Sequence, residues 1–299
     1  MTTLVTLRTV LATASLAEPL QQGVITSPEV RLDFIDVHPV HDAFAPMVRQ
    51  SAYDLSELAI VTCLQAIAYE RPIVLLPVVV ASRFQRGCLI SHRARPVPTV
   101  SDLAGKRIGV RAYTQTTGMW IRAHLTADYG LATESMRWLT RDPAHVEQYR
   151  DPPFVEHITA AKSLPDLLRD GDIDAAILGN DLPKGAEFIP VIPDAANRDR
   201  QWWQQHHFMP INHMMVASRD VSRRHPAAVR DAYQLLARAY GLNAAPQGSP
   251  NPIVFGIEPL REPIGWIIEA CLEQRLLPRR LSLDEVFGPA AEILGGALA

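Results

Sequence analysis

Four short stretches carry residue types and spacings suited to chemistry on a small anion. Arg111-Ala-Tyr-Thr-Gln-Thr-Thr-Gly118 lies between a strand-like and a helix-like pattern. A turn at a helix start presents free N–H groups and the positive end of the helix dipole, which together favour an anion. Tyr113, Thr114, Thr116 and Thr117 crowd hydroxyls into this turn, more than one N-cap needs. The plainer alternative is capping by a single threonine. The Gly-Lys-Ser/Thr ending of a Walker-type phosphate loop is missing. In Asp54-Leu-Ser-Glu-Leu58, Ser56 and Glu57 sit at the end of a short strand before an apolar helix. Side chains there point into the crevice at the carboxyl edge of a sheet. Glu57 suits an acid, a base or a partner for a substrate hydroxyl; the competing role is a helix-start carboxylate.

Two further stretches complete the set. Ser82-Arg-Phe-Gln-Arg86 follows a buried strand, and Arg83 or Arg86 could clamp a carboxylate with a bidentate fork. A solvated surface arginine is the alternative. His213 lies inside the apolar run Phe208–Val216. Histidine is the side chain best suited to moving protons near neutral pH, although a hydrogen-bonded core histidine is the commoner case. His38 and His41 form H-x-x-H, and His206 and His207 are adjacent. Without a helix or a nearby glutamate this is a weak metal signature, so no metal is expected. The serine-hydrolase elbow, the zincin motif, paired Cys-x-x-Cys and the dinucleotide glycine pattern are all absent, and no cofactor is expected.

These residues need a scaffold, and the composition allows one. The 299 residues are 47% hydrophobic and 20% charged, which is ordinary for a globular chain of one large or two small domains. A net charge of −3 gives no electrostatic footprint for nucleic acid. Cys63, Cys88 and Cys271 are odd in number and far apart, which argues against a disulfide framework and for a reducing compartment. Met1 to Leu20 has no Lys or Arg before Leu4, and Arg8 interrupts its apolar run, so it does not read as a secretory signal. The expected location is the cytoplasm, with no membrane span.

Strand-like and helix-like segments alternate, which implies a parallel α/β sheet. Strands are expected at Val5–Val10, Val30–Phe34, Leu55–Ile60, Ile73–Val80, Arg107–Val110, Met136–Leu139, Ile173–Leu178 and His207–Ser218. Helices are expected at Asp42–Gln50, Thr116–Tyr129 with Gly130 as its cap, Leu164–Asp170 closed at Gly171, Pro226–Tyr240, Pro263–Leu276 and Leu283–Phe287. Pro183–Arg200 and Asn243–Pro252 read as loops. One internal echo appears: Met47–Ile60 and Leu167–Leu178 both run helix, break, Asp, apolar strand. They are either equivalent parts of two similar lobes or a pattern that any βαβ protein repeats. The implied map has residues 1–85 plus 208–299 in one lobe and 86–207 inserted as a second. The crossings lie near Arg83–Gly87 and His206–Pro210.

Taken in order, Asp54–Leu58, Ser82–Arg86, Gly105–Leu125, Leu167–Leu178 and Pro210–Val216 resemble the 4,5-dihydroxyphthalate decarboxylase family over roughly residues 30 to 240. The most specific part is Gly105–Leu125, with Tyr113, Thr117, Trp120 and Arg122. The chain departs at Phe84-Gln85-Arg86, where the family has Phe-Arg-His. The resemblance implies a two-lobed, periplasmic-binding-protein-like α/β fold of type II with a hinged cleft between the lobes. It also implies loss of carbon dioxide from a hydroxylated aromatic acid. Such a site needs a general acid over the ring carbon, a base near the phenol and an anchor for the remaining carboxylate. On this reading His213 is the acid, Glu57 receives the phenolic proton, and Arg83, Arg86 and Tyr113–Thr117 hold the carboxylates. Trp120 lines the pocket or belongs to the core. The expected partner is a small aromatic carboxylate, with homo-oligomerisation left open. The rival function is a solute-binding protein that captures such an acid without chemistry.

Overall fold

The computed structural model describes residues 4–159, 162–179, 182–242, 246 and 248–295. Part of the expected Asn243–Pro252 loop lies outside them. In order, the elements are β1 (Val5–Val10), α1 (Ala14–Gln21), β2 (Val30–Phe34), α2 (Phe44–Gln50), β3 (Leu55–Ala59), α3 (Ile60–Ala68) and β4 (Ile73–Ser82). Next come β5 (Leu89–His92), β6 (Arg107–Val110), α4 (Thr116–Tyr129), β7 (Arg137–Thr140), β8 (Val155–His157), α5 (Leu164–Asp170), β9 (Ala175–Ile177), β10 (Phe188–Pro190) and α6 (Ala195–His206). The chain ends with β11 (Ile211–Ser218), α7 (Arg219–Arg224), α8 (Pro226–Leu242), β12 (Val254–Phe255), α9 (Arg261–Glu273) and α10 (Leu283–Leu294).

The strands form two six-stranded sheets, ordered β12-β4-β11-β3-β1-β2 and β10-β5-β9-β6-β7-β8. In the first sheet β1 runs parallel to β2 and β3, and β11 is antiparallel to both β3 and β4. In the second, β6 runs parallel to β7 and β9, and β5 is antiparallel to β9 and β10. In the first sheet β11 and the edge strand β12 run against the others, and in the second sheet β5 does; β11 and β5 each follow directly on a crossing from the other sheet.

The two sheets repeat one construction. In the first, Asp54 precedes β3: its carboxylate accepts from the Arg8 N–H of β1 at 2.8 Å, and its own N–H donates to the Arg8 carbonyl. In the second, Asp174 precedes β9: its carboxylate accepts from the Arg107 N–H of β6 at 2.9 Å, and its N–H donates to the Arg107 carbonyl. The echo between Met47–Ile60 and Leu167–Leu178 is therefore structural. Each copy places a helix and then a strand beside the first of the parallel strands of its sheet, and the aspartate locks the register.

Local signals explain most elements. Gly130 and Gly171 end α4 and α5 in the left-handed conformation, with φ of 66° and 82°, which glycine adopts without a Cβ penalty. Ser163 caps α5 by accepting from Asp166 N–H. β3 and α3 are buried almost throughout, so the apolar run from Leu55 to Ala66 carries no amphipathic period. Pro183–Arg200 is not all loop: it contains β10 and the start of α6. The stretch after β1 contains α1, anchored at its start by Thr13 Oγ1, which donates to the Val80 carbonyl at 2.8 Å.

The crossings are pinned to each other. Arg83 N–H donates to the Pro210 carbonyl at 3.1 Å, and Gln85 Nε2 donates to Asn212 Oδ1 at 3.1 Å. A third connection comes from the C-terminal part. Trp266 of α9 stacks on Trp120 of α4 at 4.7 Å, and Gln274 is bonded to Tyr113, Met119 and Arg122. Among the described residues no helix is long and apolar enough to cross a membrane.

Candidate functional site

The C-terminal ends of the parallel strands in both sheets gather the polar side chains. Glu57 is on β3, a central strand, and is 2% exposed. Antiparallel pairing sets His213 opposite Ala59 and Met215 opposite Glu57, so His213 and Glu57 are diagonal neighbours on one face. His213 Nδ1 lies 2.8 Å from Glu57 Oε1. The other carboxylate oxygen accepts from Ala12 N–H at 2.6 Å, just beyond β1. Both oxygens of Glu57 are occupied, so the carboxylate does not face the cleft. It stands behind His213, fixing the ring so that Nε2 is the nitrogen left for other work. Nε2 has no hydrogen-bond partner among the described residues, and the His213 side chain is 23% exposed. A carboxylate-backed imidazole is a proton-transfer unit: the acid orients the ring and stabilises the imidazolium.

Arg111 and His145, both following strands of the second sheet, lie at the same edge. Arg111 comes directly after β6 and pairs with Asp142 at 3.1 Å while staying part-exposed. His145 follows β7, and its Nδ1 is 2.9 Å from Thr62 Oγ1 on α3. Arg49 of α2 donates to the His145 and Ala144 carbonyls at 2.8 and 2.9 Å. The Phe44 ring meets both histidines edge-on, at 5.6 Å from His145 and 5.2 Å from His213. Burial, with Arg111 and the nearby His41, Arg49 and His213, pushes the His145 pKa down to about 3, so its ring is neutral at ordinary pH. Neither His145 nor Arg111 was singled out in the sequence. His145 sits in irregular chain with no motif, and only the folded edge brings it to His213.

The loop before α4 behaves differently from plain capping. Gln115 is the N-cap residue, and no side chain caps the helix. Thr117 Oγ1 instead accepts from Arg83 at 2.9 Å, which ties the end of β4 to the start of α4 across the two sheets. Thr116 Oγ1 and Gln115 Oε1 are buried without partners among the described residues, and Thr114 is buried in the same loop. Arg83 is part-buried, so Arg83, Thr117 and the open helix start form one electropositive corner.

Several sequence-derived roles need correction. Arg86 is 2% exposed and fully engaged, to Asp199 at 2.7 Å and Asp128 at 3.0 Å, so it is a structural cation at the crossing and not a carboxylate clamp. Tyr113 directs its hydroxyl to the Gln274 carbonyl at 2.9 Å, under the Arg122 guanidinium, and burial raises its pKa to about 12. Trp120 is fully buried, donates to the Ile211 carbonyl and stacks on Trp266, which makes it core. Ser56 is fully buried, and its hydroxyl donates to the Glu57 carbonyl. Glu57 is present at the site but is not positioned to meet a phenol. Among the described residues no group of His, Cys, Asp and Glu is arranged to hold a metal. A cavity of about 330 Å³ opens next to this edge between α1 and the residues after β2. It is bordered by Ala12, Glu18, Asp36 and His38 and does not include the Glu57–His213 pair.

The two sheets, their paired crossings and their shared strand order define a periplasmic-binding-protein-like fold. The alkanesulfonate-binding protein SsuA from Xanthomonas axonopodis pv. citri, bound to MOPS, superposes with a TM-score of 0.57 over 95% of this chain and 97% of that one, at 14% identity. The aliphatic sulphonate binding protein SsuA of Escherichia coli gives 0.59 over 94% and 96%, at 16% identity. In sequence the chain is similar to 4,5-dihydroxyphthalate decarboxylase. It is 25% identical to the Comamonas testosteroni enzyme over 215 residues, which is 66% of this chain and 65% of that protein. It is 27% identical to the Pseudomonas putida enzyme over 161 residues, 50% of this chain and 62% of that protein. The matched stretch therefore spans less than two thirds of either curated relative. No protein-family model matches the chain.

Proposed function

We propose that this protein removes carbon dioxide from a hydroxylated aromatic acid, 4,5-dihydroxyphthalate or a close analogue, between its two lobes. The observation that carries the reading is the Glu57–His213 pair: a buried carboxylate on Nδ1 and an unpartnered Nε2, at an edge that also holds Arg111 and Arg83. The similarity to two 4,5-dihydroxyphthalate decarboxylases supports the choice of substrate. We further propose that the lobes divide near residues 85 and 207.

The chemistry sets the requirements. Direct loss of carbon dioxide would leave an aryl carbanion, which is too unstable to form in water. A hydroxyl para to the departing carboxylate lets the ring carbon be protonated first. His213, protonated, gives its proton to that carbon while the phenol loses its own, and a dienone results. The carbon–carbon bond then breaks, its electrons return to the ring, carbon dioxide leaves, and the phenolate regains a proton. Glu57 holds His213 in orientation and offsets the imidazolium charge. Arg111 and the corner of Arg83 with the α4 start bind the two carboxylates. An acid held in this way contributes roughly 10²–10⁴-fold.

The second reading is a binder without chemistry, favoured by the SsuA-like fold, since a fold does not settle function. Purified protein incubated with 4,5-dihydroxyphthalate separates the two. The decarboxylase releases carbon dioxide and leaves 3,4-dihydroxybenzoate. A binder raises the melting temperature and leaves the acid intact. No turnover across a panel of hydroxylated benzoates and phthalates overturns the enzyme reading.

A further inference from the structure

We infer that His145 is a second proton-transfer group of the site, assembled by lobe closure, and that it takes the proton from the phenolic hydroxyl of the substrate. The inference rests on the decarboxylase reading and supplies the base that Glu57, enclosed behind His213, cannot be.

The geometry gives the site two imidazoles, one from each lobe. His213 stands on β11 of the first sheet, and His145 follows β7 of the second. Both meet the same Phe44 ring edge-on, so their ring centres lie within about 11 Å of each other. One benzene ring with a hydrogen-bond reach of about 3 Å at each end spans such a gap. In each histidine Nδ1 is tied from behind and Nε2 is unpartnered among the described residues. The backing differs. His213 has a carboxylate placed to offset the charge its ring takes on in proton transfer; His145 is buried, with the Thr62 hydroxyl and two arginines around it, and burial first and then the arginines keep its ring neutral. A carboxylate behind one imidazole and cations around the other suit the two to different halves of a proton transfer.

The groups facing His145 come from every packed element. They are Arg111 from β6, Arg49 from α2, His41 from the turn before α2, His213 from β11, and Thr62 from α3. Arg49 is countered by Glu147, Arg111 by Asp142 and His41 by Asp42. Burial first, and then these cations, lower the basicity of His145. A dianionic substrate seated against Arg111 offsets them, so the base strengthens when the acid it serves is bound. Thr62 and Arg49 belong to the first lobe, and His145 to the second. The base is therefore held in place only while the lobes are together, which couples closure to proton transfer. The step balances: His145 Nε2 takes the phenolic proton as His213 delivers one to the ring carbon, and His145 returns its proton to the phenolate when carbon dioxide has left.

The experiment uses the full-length protein and 4,5-dihydroxyphthalate. His145→Gln is expected to lower kcat roughly 100-fold, with KM changed far less, and Thr62→Val to lower kcat by a smaller factor. A second readout needs no turnover. In His213→Asn, where carbon protonation is blocked, the bound acid is expected to show the red-shifted absorbance of a phenolate. In His213→Asn/His145→Gln it binds without that band. Melting curves identify any variant that fails to fold, and His145→Asn then takes the place of His145→Gln. Turnover by the wild type, with kcat intact in His145→Gln and the phenolate band intact in His213→Asn/His145→Gln, overturns the inference and leaves the decarboxylase reading standing. A wild type that neither binds nor decarboxylates the acid overturns that reading, and the inference with it.

Discussion

Replacing Glu57 by Gln tests whether the carboxylate acts through His213. The change keeps the shape of a 2% exposed side chain. The amide oxygen can still accept from Ala12 N–H, so the fold is expected to survive with little change in melting temperature. The amide NH₂ is then turned toward His213 Nδ1, which must become an acceptor. That forces the other tautomer on the ring and removes the charge that offsets the imidazolium. A hydrogen bond to a charged group contributes about 1.5–3 kcal/mol. At about 1.4 kcal/mol per tenfold, kcat should fall by roughly 10- to 150-fold. The assay is the initial rate of carbon dioxide release from 4,5-dihydroxyphthalate, measured in a cycle with His213→Asn and the double variant. If Glu57 acts through His213, the double variant is no slower than His213→Asn alone. Turnover by Glu57→Gln within twofold of wild type, or losses that multiply in the double variant, refutes the reasoning.

Other outcomes follow from neighbouring features. Arg86→Met leaves Asp199 buried without its cation and should cost about 3–5 kcal/mol of stability, read by denaturant melts; an unchanged melt would mean the crossing does not need this ion pair. Arg111→Met should raise KM several-fold with kcat nearly kept, and the wild-type KM should rise with added salt while that of the variant responds less. His124 is fully buried beside Trp120 and Trp202, with both ring nitrogens unpartnered among the described residues, so His124→Leu should stabilise the protein by about 1–2 kcal/mol, seen as a higher melting temperature. Burial holds the pKa of both His124 and His145 below that of a free histidine. The unfolded chain therefore binds more protons below pH of about 6.5, and stability present above that pH is lost as it falls, by up to about 1.4 kcal/mol per pH unit for each histidine. Melts at pH 5 and 7.5 should show the loss, and His124→Leu/His145→Gln should flatten it.

The legible parts of the fold were those where pattern and punctuation agree. β1, β2 and β6 show clear strand patterns, and α4 and α5 end on glycines that the left-handed conformation requires. The short strands β5, β8 and β10 were not, because three or four residues carry too little period to stand out. α3 is legible as an apolar helix after Glu57 but without bounds, because it is buried on nearly every side and runs on from β3 without a break. α6 escaped because its polar sequence resembles a loop. For the site, Glu57, His213, Arg83 and Thr117 were visible as residue types, but their division of labour was not. Glu57 and His213 are 156 positions apart, and only the β3–β11 register shows that one stands behind the other. Arg86 and Trp120 have the right chemistry in the sequence, and only burial and partners show that it is spent within the structure.

The joint at residues 274–276 has a consequence for how the chain is made. Gln274 is held by Tyr113, Met119 and Arg122 around α4, and Leu276 accepts from Gln65 of α3. The second lobe leaves the ribosome long before these residues do. Until they arrive, the Arg122 guanidinium lacks its Gln274 partner and the Trp120 face lacks Trp266. The inserted half of the molecule can form its sheet early but cannot close its core until Trp266 and Gln274 have emerged, so completion of both halves waits on segments made well after the second sheet.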